Sequence, residues 1–120
     1  LSDPYVNLLY GRRKVKSEII KKNLEPKWQE EFTFDLTPSI HQITIQVYNN
    51  DRWKFDHFMG QVTIALTEIT ETDFTRWYPL RIRTTKDQNS VQGEIKLNIQ
   101  YDGVIVPPLT SPIPFDFEVL

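Results

Sequence analysis

The sequence predicts an all-β fold, an antiparallel Greek-key β-sandwich of about seven to eight strands. Three observations point there. Apolar residues recur with period two: Phe32, Phe34 and Leu36 alternate with Thr33 and Asp35, Ile43, Ile45 and Val47 with Thr44 and Gln46, and Ile95, Leu97, Ile99 and Tyr101 with Lys96, Asn98 and Gln100. Turn-forming residues separate the apolar runs, among them Gly11, Pro26, Pro38, Gly60 and Gly93. Only one segment, 66–74, suits a helical turn. Short alternating strands of this kind bury one face each, and two sheets satisfy that need by packing those faces together.

In chain order, strands are expected at 5–9, 15–20, 32–36, 43–47, 61–66, 77–82 and 95–101, together forming one domain over residues 1–102. After Asp102-Gly103 the texture changes. Pro107, Pro108, Pro112 and Pro114 remove amide donors, so residues 103–120 read as a Pro-rich C-terminal extension. Its last stretch, 115–120, alternates again and suits an extra strand. Inside the sandwich, Phe58, Trp28 and Trp77 are expected in the core, and His41 in a turn.

A chain of 120 residues is long enough to bury a core of its own, and 39% hydrophobic with 25% charged residues is ordinary for a globular fold. Without cysteine there is no disulfide, thiolate metal site or catalytic thiol. No apolar run reaches the length of a membrane span and Leu1-Ser2-Asp3-Pro4 lacks a signal-peptide pattern, so a cytoplasmic setting with peripheral membrane contact is expected. His41 and His57 lack a third ligand at zinc spacing. The serines lack a nucleophile-elbow context and no Gly-rich phosphate loop occurs, so enzymatic activity is not expected.

The net charge of −2 conceals a basic region. Arg12, Arg13, Lys14, Lys16, Lys21 and Lys22 face a single acid, Glu18, in the same stretch. On a strand, Arg12, Lys14 and Lys16 share one side and Arg13, Val15 and Ser17 the other, so three cations are expected to line an exposed face. Such a face suits anionic membrane lipids, each cation near an anionic leaflet contributing about 1 kcal/mol. The competing reading is a solvated edge strand whose cations discourage aggregation. Trp53, flanked by Arg52 and Lys54, combines an apolar ring with a polar edge and suits a membrane interface.

Several segments occur in a familiar order: Ser2-Asp3-Pro4-Tyr5-Val6; Lys21-Lys22-Asn23-Leu24-Glu25-Pro26-Lys27-Trp28-Gln29-Glu30-Glu31-Phe32-Thr33-Phe34; Tyr48-Asn49-Asn50-Asp51-Arg52-Trp53 with Asp56-His57-Phe58-Met59-Gly60; and Gly93-Glu94-Ile95-Lys96-Leu97. Together they resemble the C2 domain family over residues 2–102. The resemblance implies a calcium- and lipid-binding type of sandwich that targets membranes, its strands often carrying a basic patch for phosphoinositide headgroups. It also implies strand material upstream of Ser2, so one sheet is expected to lack a strand. Three remedies stand open: a truncated chain, residues 115–120 in the vacant position, or a second chain, the last making a dimer through the open edge.

For calcium, the resemblance maps the ligand positions onto Asp3, Asn49, Asp51, Asp56 and His57. Only Asp3 and Asp51 keep the family's aspartate, while Asn49 and His57 replace it, and Asp56, their neighbour, is expected to point to the opposite side of an extended segment. A hard cation needs six to eight oxygens, so calcium binding is expected to be weak or lost. Two alternatives to lipid docking remain: a protein-interaction module using the extension or an open edge, and calcium-triggered docking. Nucleic acid is not expected as a partner, given the overall acidity.

Overall fold

Facing residues of a β-ladder share a side of the sheet, so the period-two pattern becomes a core only if every strand is in register. The computed structural model describes residues 3–20, 30–89, 91–101 and 114–119. Its strands are β1 (Pro4–Tyr10), β2 (Arg13–Lys16), β3 (Glu30–Asp35), β4 (Gln42–Asn49), β5 (His57–Ala65), β6 (Asp73–Pro79), β7 (Glu94–Tyr101) and β8 (Pro114–Val119). They form two four-stranded sheets, ordered β2-β1-β4-β5 and β3-β8-β7-β6, with every pairing antiparallel. The all-β sandwich expected from the sequence is the observed architecture.

Register explains the core. Across the first sheet Leu8 faces Ile45, which faces Val62; across the second, Leu97 faces Val119. All are buried, and their faces meet in one cluster with Val6, Ile43, Ile64, Phe34, Ile95 and Ile99. A two-residue turn at Gly11-Arg12 joins β1 to β2, with Gly11 at the positive φ of 59° that tight hairpin turns require. The Tyr10 hydroxyl accepts the Thr37 N–H at 2.8 Å and so ties the β3–β4 loop to β1.

Several element boundaries differ from expectation, that of the fifth strand among them, which starts at His57 and not at 61. The second strand ends at Lys16 instead of running over 15–20, because the Val6 N–H is taken by the Ser17 side chain at 2.8 Å. The chain still follows β1 afterwards, the Ile20 N–H donating to the Pro4 carbonyl at 3.0 Å. The helical turn shrinks to a 3₁₀ turn at Leu66–Glu68, and the sixth strand begins at Asp73, ahead of the expected 77–82. That earlier start fixes the parity of β6. Phe74, Arg76 and Tyr78 pair with core residues Ile99, Leu97 and Ile95, so Trp77 faces outward, 57% exposed, opposite Lys96. Its expected core position is corrected; Trp28 lies outside the described residues.

The fifth strand starts at His57 and contains a β-bulge. Val47 pairs with Gly60 but Tyr48 pairs with Phe58, leaving Met59 as the extra residue. Phe58 is buried, yet it is not part of the core between the sheets: the bulge turns it to the outer face with Tyr48. Gly60 has φ 141°, and a Cβ there would lie 2.6 Å from Leu80 Cβ. Among the described residues no helix is long and apolar enough to cross a membrane.

Gly60→Ala combines a strained φ with a clash against a side-chain stem, whereas the added Cβ in Gly11→Ala meets the flexible end of Ile40. Urea denaturation is expected to register a loss of about 3 kcal/mol for Gly60→Ala and about 1 kcal/mol for Gly11→Ala. Equal losses would contradict the steric account.

Candidate functional site

The outer face of the β2-β1-β4-β5 sheet begins with side chains the core rejects. Leu9 pairs with Lys14 and Asn7 with Lys16, so these two lysines stand on the side opposite Val6 and Leu8. Arg13 pairs with core-facing Tyr10 and lies across the sandwich, its guanidinium 5.0 Å from the Phe34 ring centre. Arg12 sits in the hairpin turn, at the end of β1 remote from the β4–β5 loop. The expected basic group is thus split: Lys14 and Lys16 share the outer face, and Arg13 does not. All four are exposed, and none forms an ion pair with a carboxylate among the described residues. Lys21 and Lys22 lie outside the described residues.

Next to Lys16 an aromatic row crosses the sheet. Tyr5 pairs with Tyr48, the rings stacked at 5.7 Å and 13°; Tyr48 pairs with Phe58, edge to face at 5.6 Å. A cation closes each end. Lys16 Nζ lies 4.2 Å from the Tyr5 ring centre and the Arg83 guanidinium 3.6 Å from that of Phe58. Arg83 also donates to the Tyr48 hydroxyl at 3.2 Å and is held by Asp87, which accepts from its N–H at 2.9 Å and forms a 3.4 Å ion pair with its side chain. Sequence reasoning missed Arg83, because only the path of the chain after β6 brings it over β5. The Phe58-Met59-Gly60 bulge was the one available signal.

The β4–β5 loop is anchored on this row by Asp56. One of its carboxylate oxygens accepts the Tyr5 hydroxyl at 2.5 Å, and the other accepts the Asp51 N–H at 3.0 Å and the Asn50 amide at 3.3 Å. The Tyr5 hydrogen bond and then the Asp51 N–H hold the Asp56 carboxyl below the usual carboxylate range, against partial burial, with Asn50 and the Lys16 charge assisting. Burial first, and then the same carboxylate, push the Tyr5 hydroxyl well up. Beyond this anchor Asp51 Oδ1 accepts the Trp53 and Lys54 N–H groups at 2.8 and 3.1 Å, which tightens the loop tip. The tip projects Trp53, 84% exposed, between the exposed Arg52 and Lys54, and Phe55, 97% exposed, directly after them.

The residues mapped to calcium do not fit a calcium cage. Both Asp56 oxygens and Asp51 Oδ1 accept hydrogen bonds from the protein, and Asn49 Oδ1 accepts the Asp3 N–H at 2.7 Å. His57 is exposed and offers nitrogen, where a hard cation takes oxygen. Among the described residues no three His, Asp or Glu side chains gather as a metal site.

Comparison with known proteins gives a consistent set. The C2 domain family model matches residues 1–80. The chain is 39% identical over 118 residues to a probable serine/threonine-protein kinase of Dictyostelium discoideum, covering 93% of this chain and 12% of that protein. It is 34% identical over 102 residues to a C2 and GRAM domain-containing protein of Arabidopsis thaliana, covering 82% and 10%. With Protein C2-DOMAIN ABA-RELATED 3 of the same plant it shares 40% over 70 residues, covering 58% and 42%. The chain therefore spans well under two thirds of these relatives' lengths.

Tyr5→Phe removes a hydrogen bond to a charged acceptor while keeping the ring stack. It is expected to lower stability by about 1–2 kcal/mol in urea denaturation and to broaden the amide resonances of residues 51–55. An unaltered loop spectrum would mean that Asp56 does not depend on Tyr5.

Proposed function

This chain belongs to the C2 domain family, and we propose that it is a peripheral membrane-targeting module that binds anionic phospholipid without needing calcium. The observation that carries the reading is the adjacency of two unlike features on the outer sheet: Lys16, with Lys14 further along the same face toward the hairpin, and the loop tip bearing Trp53 and Phe55. Tyr5 joins them, its ring under Lys16 and its hydroxyl on Asp56 at the loop base. Lysines attract an anionic leaflet from a distance, and indole and phenyl rings then bury apolar surface at the headgroup level.

Four exposed cations bear on this surface: Lys14 and Lys16 on the sheet, Arg52 and Lys54 on the loop. At about 1 kcal/mol each they contribute on the order of 4 kcal/mol at low ionic strength, enough to favour the surface but not to hold the chain there alone. The exposed rings supply the second attachment. In this reading Arg12 adds long-range attraction, Arg13 is reserved for Phe34, and the described residues offer calcium no ligand cage. The expected location is the cytoplasmic side of a membrane, where anionic lipid concentrates.

Vesicle cosedimentation tests this. Lys14→Gln with Lys16→Gln is expected to weaken binding to phosphatidylserine-containing vesicles about thirtyfold, and Trp53→Ala with Phe55→Ala about tenfold or more. The charge variant should flatten the salt dependence and the ring variant should keep it. Calcium and a chelator should give the same partition. Binding unmoved by both double variants, or appearing only with calcium, would defeat the reading.

A further inference from the structure

Each sheet ends in two strands with one unpaired side, and three of the four carry charge there. Strand β2 has Arg13, Lys14 and Lys16; β3 has Glu30, Glu31 and Asp35; β6 points Arg76 inward. Charges so placed discourage a further strand from pairing. Strand β5 has none along Gln61, Val62, Thr63, Ile64 and Ala65. Among the described residues its outer side is taken only at Gln61, which exchanges both backbone hydrogen bonds with Arg81, at 3.0 and 2.8 Å. Because such bonds recur at every second residue, the N–H and C=O groups of Thr63 and Ala65 point to the same open side. Beyond Arg81 no strand among the described residues covers them.

A groove of about 410 Å³ lies where β5 and β6 diverge, lined by Thr63, Ile64, Ile69, Phe74, Arg76 and Arg81 among others. Its floor is apolar, Ile64 and Ile69 being buried core residues and Phe74 packing on that core. Neither guanidinium in it forms an ion pair among the described residues; Arg76 rests on the Phe74 ring at 5.0 Å. Among the described residues Glu68 is the one acid of the lining, against two arginines. The walls therefore offer a backbone ladder, an apolar floor and excess positive charge.

The geometry points to a peptide-binding site: an extended segment of a partner protein, alternating apolar and acidic residues, adds to β5 at Thr63 and Ala65, continues the Gln61–Arg81 ladder, and sets its carboxylates against Arg76 and Arg81. Main-chain pairing supplies affinity and the two guanidinium groups select acid over base. A lipid headgroup would use the arginines but not the open ladder, which is why the ladder favours a peptide. The site lies on a different edge from Lys14 and Lys16 and does not depend on membrane docking.

The test titrates a blocked, alternating valine–aspartate hexapeptide into the ¹⁵N-labelled chain, with its valine–lysine counterpart as control. Saturable amide shifts are expected at Thr63, Ala65, Phe74 and Arg76 with the acidic peptide only. Thr63→Pro removes the outward N–H without touching the β4 ladder and should abolish them; Arg76→Gln should weaken binding at least about tenfold. Should Thr63→Pro not fold, Arg76→Gln decides alone. Absence of saturation, equal response to the lysine peptide, unchanged affinity in Arg76→Gln, or shifts at these residues from anionic vesicles instead of the peptide would each overturn the assignment.

Discussion

Side chains directly opposite one another in a pleated ladder share a face, and in the β2-β1-β4-β5 sheet that requirement decides which groups can meet. Tyr5, Tyr48 and Phe58 form a row because they are successive partners across three strands. The row exists only through the bulge: were the ladder regular through Met59, that residue would face Tyr48, and Phe58 would take the core side, out of reach of Arg83. The same alternation separates Lys14 and Lys16 from Arg13, whose guanidinium is spent on Phe34.

The fold was legible wherever alternation was strict. Ile43, Ile45 and Val47 of β4 and Ile95, Leu97 and Ile99 of β7 sit on the core side, and the spans of these strands follow from the sequence almost directly. Strand β6 was not, because Trp77 and Tyr78 are adjacent and both aromatic, so parity depends on where the strand begins. Its start at Asp73 follows from pairing with β7, a partner about twenty residues further along. Likewise Ser17 ends β2 through a side-chain hydrogen bond that alternation does not encode.

At the candidate site the legible part was chemical type and the illegible part was connection. Two lysines on one side and an exposed Trp53 follow from spacing and composition. Asp56 reads as a ligand neighbour, yet it serves as the acceptor that Tyr5, Asn50 and Asp51 converge on. A carboxylate so occupied fixes the loop by hydrogen bonds made within the chain, where a metal-loading loop would leave such oxygens free. Exposure of Trp53 and Phe55 is the counterpart of that rigidity, since the loop backbone turns back on Asp51 and leaves its rings no interior to enter.

Strand β8 lies between β3 and β7, and among the described residues β3 has no other neighbour in its sheet. Glu30–Asp35 therefore has its ladder partners about eighty to ninety positions away in the chain. During synthesis that strand leaves the ribosome long before anything exists to pair with it. The β2-β1-β4-β5 half can assemble early, but the second half stays open until the ribosome has passed residue 119. For that interval Glu30–Asp35 lacks the strand it pairs with, a situation in which nascent chains depend on chaperones and in which a slow codon run before β8 would lengthen the exposure.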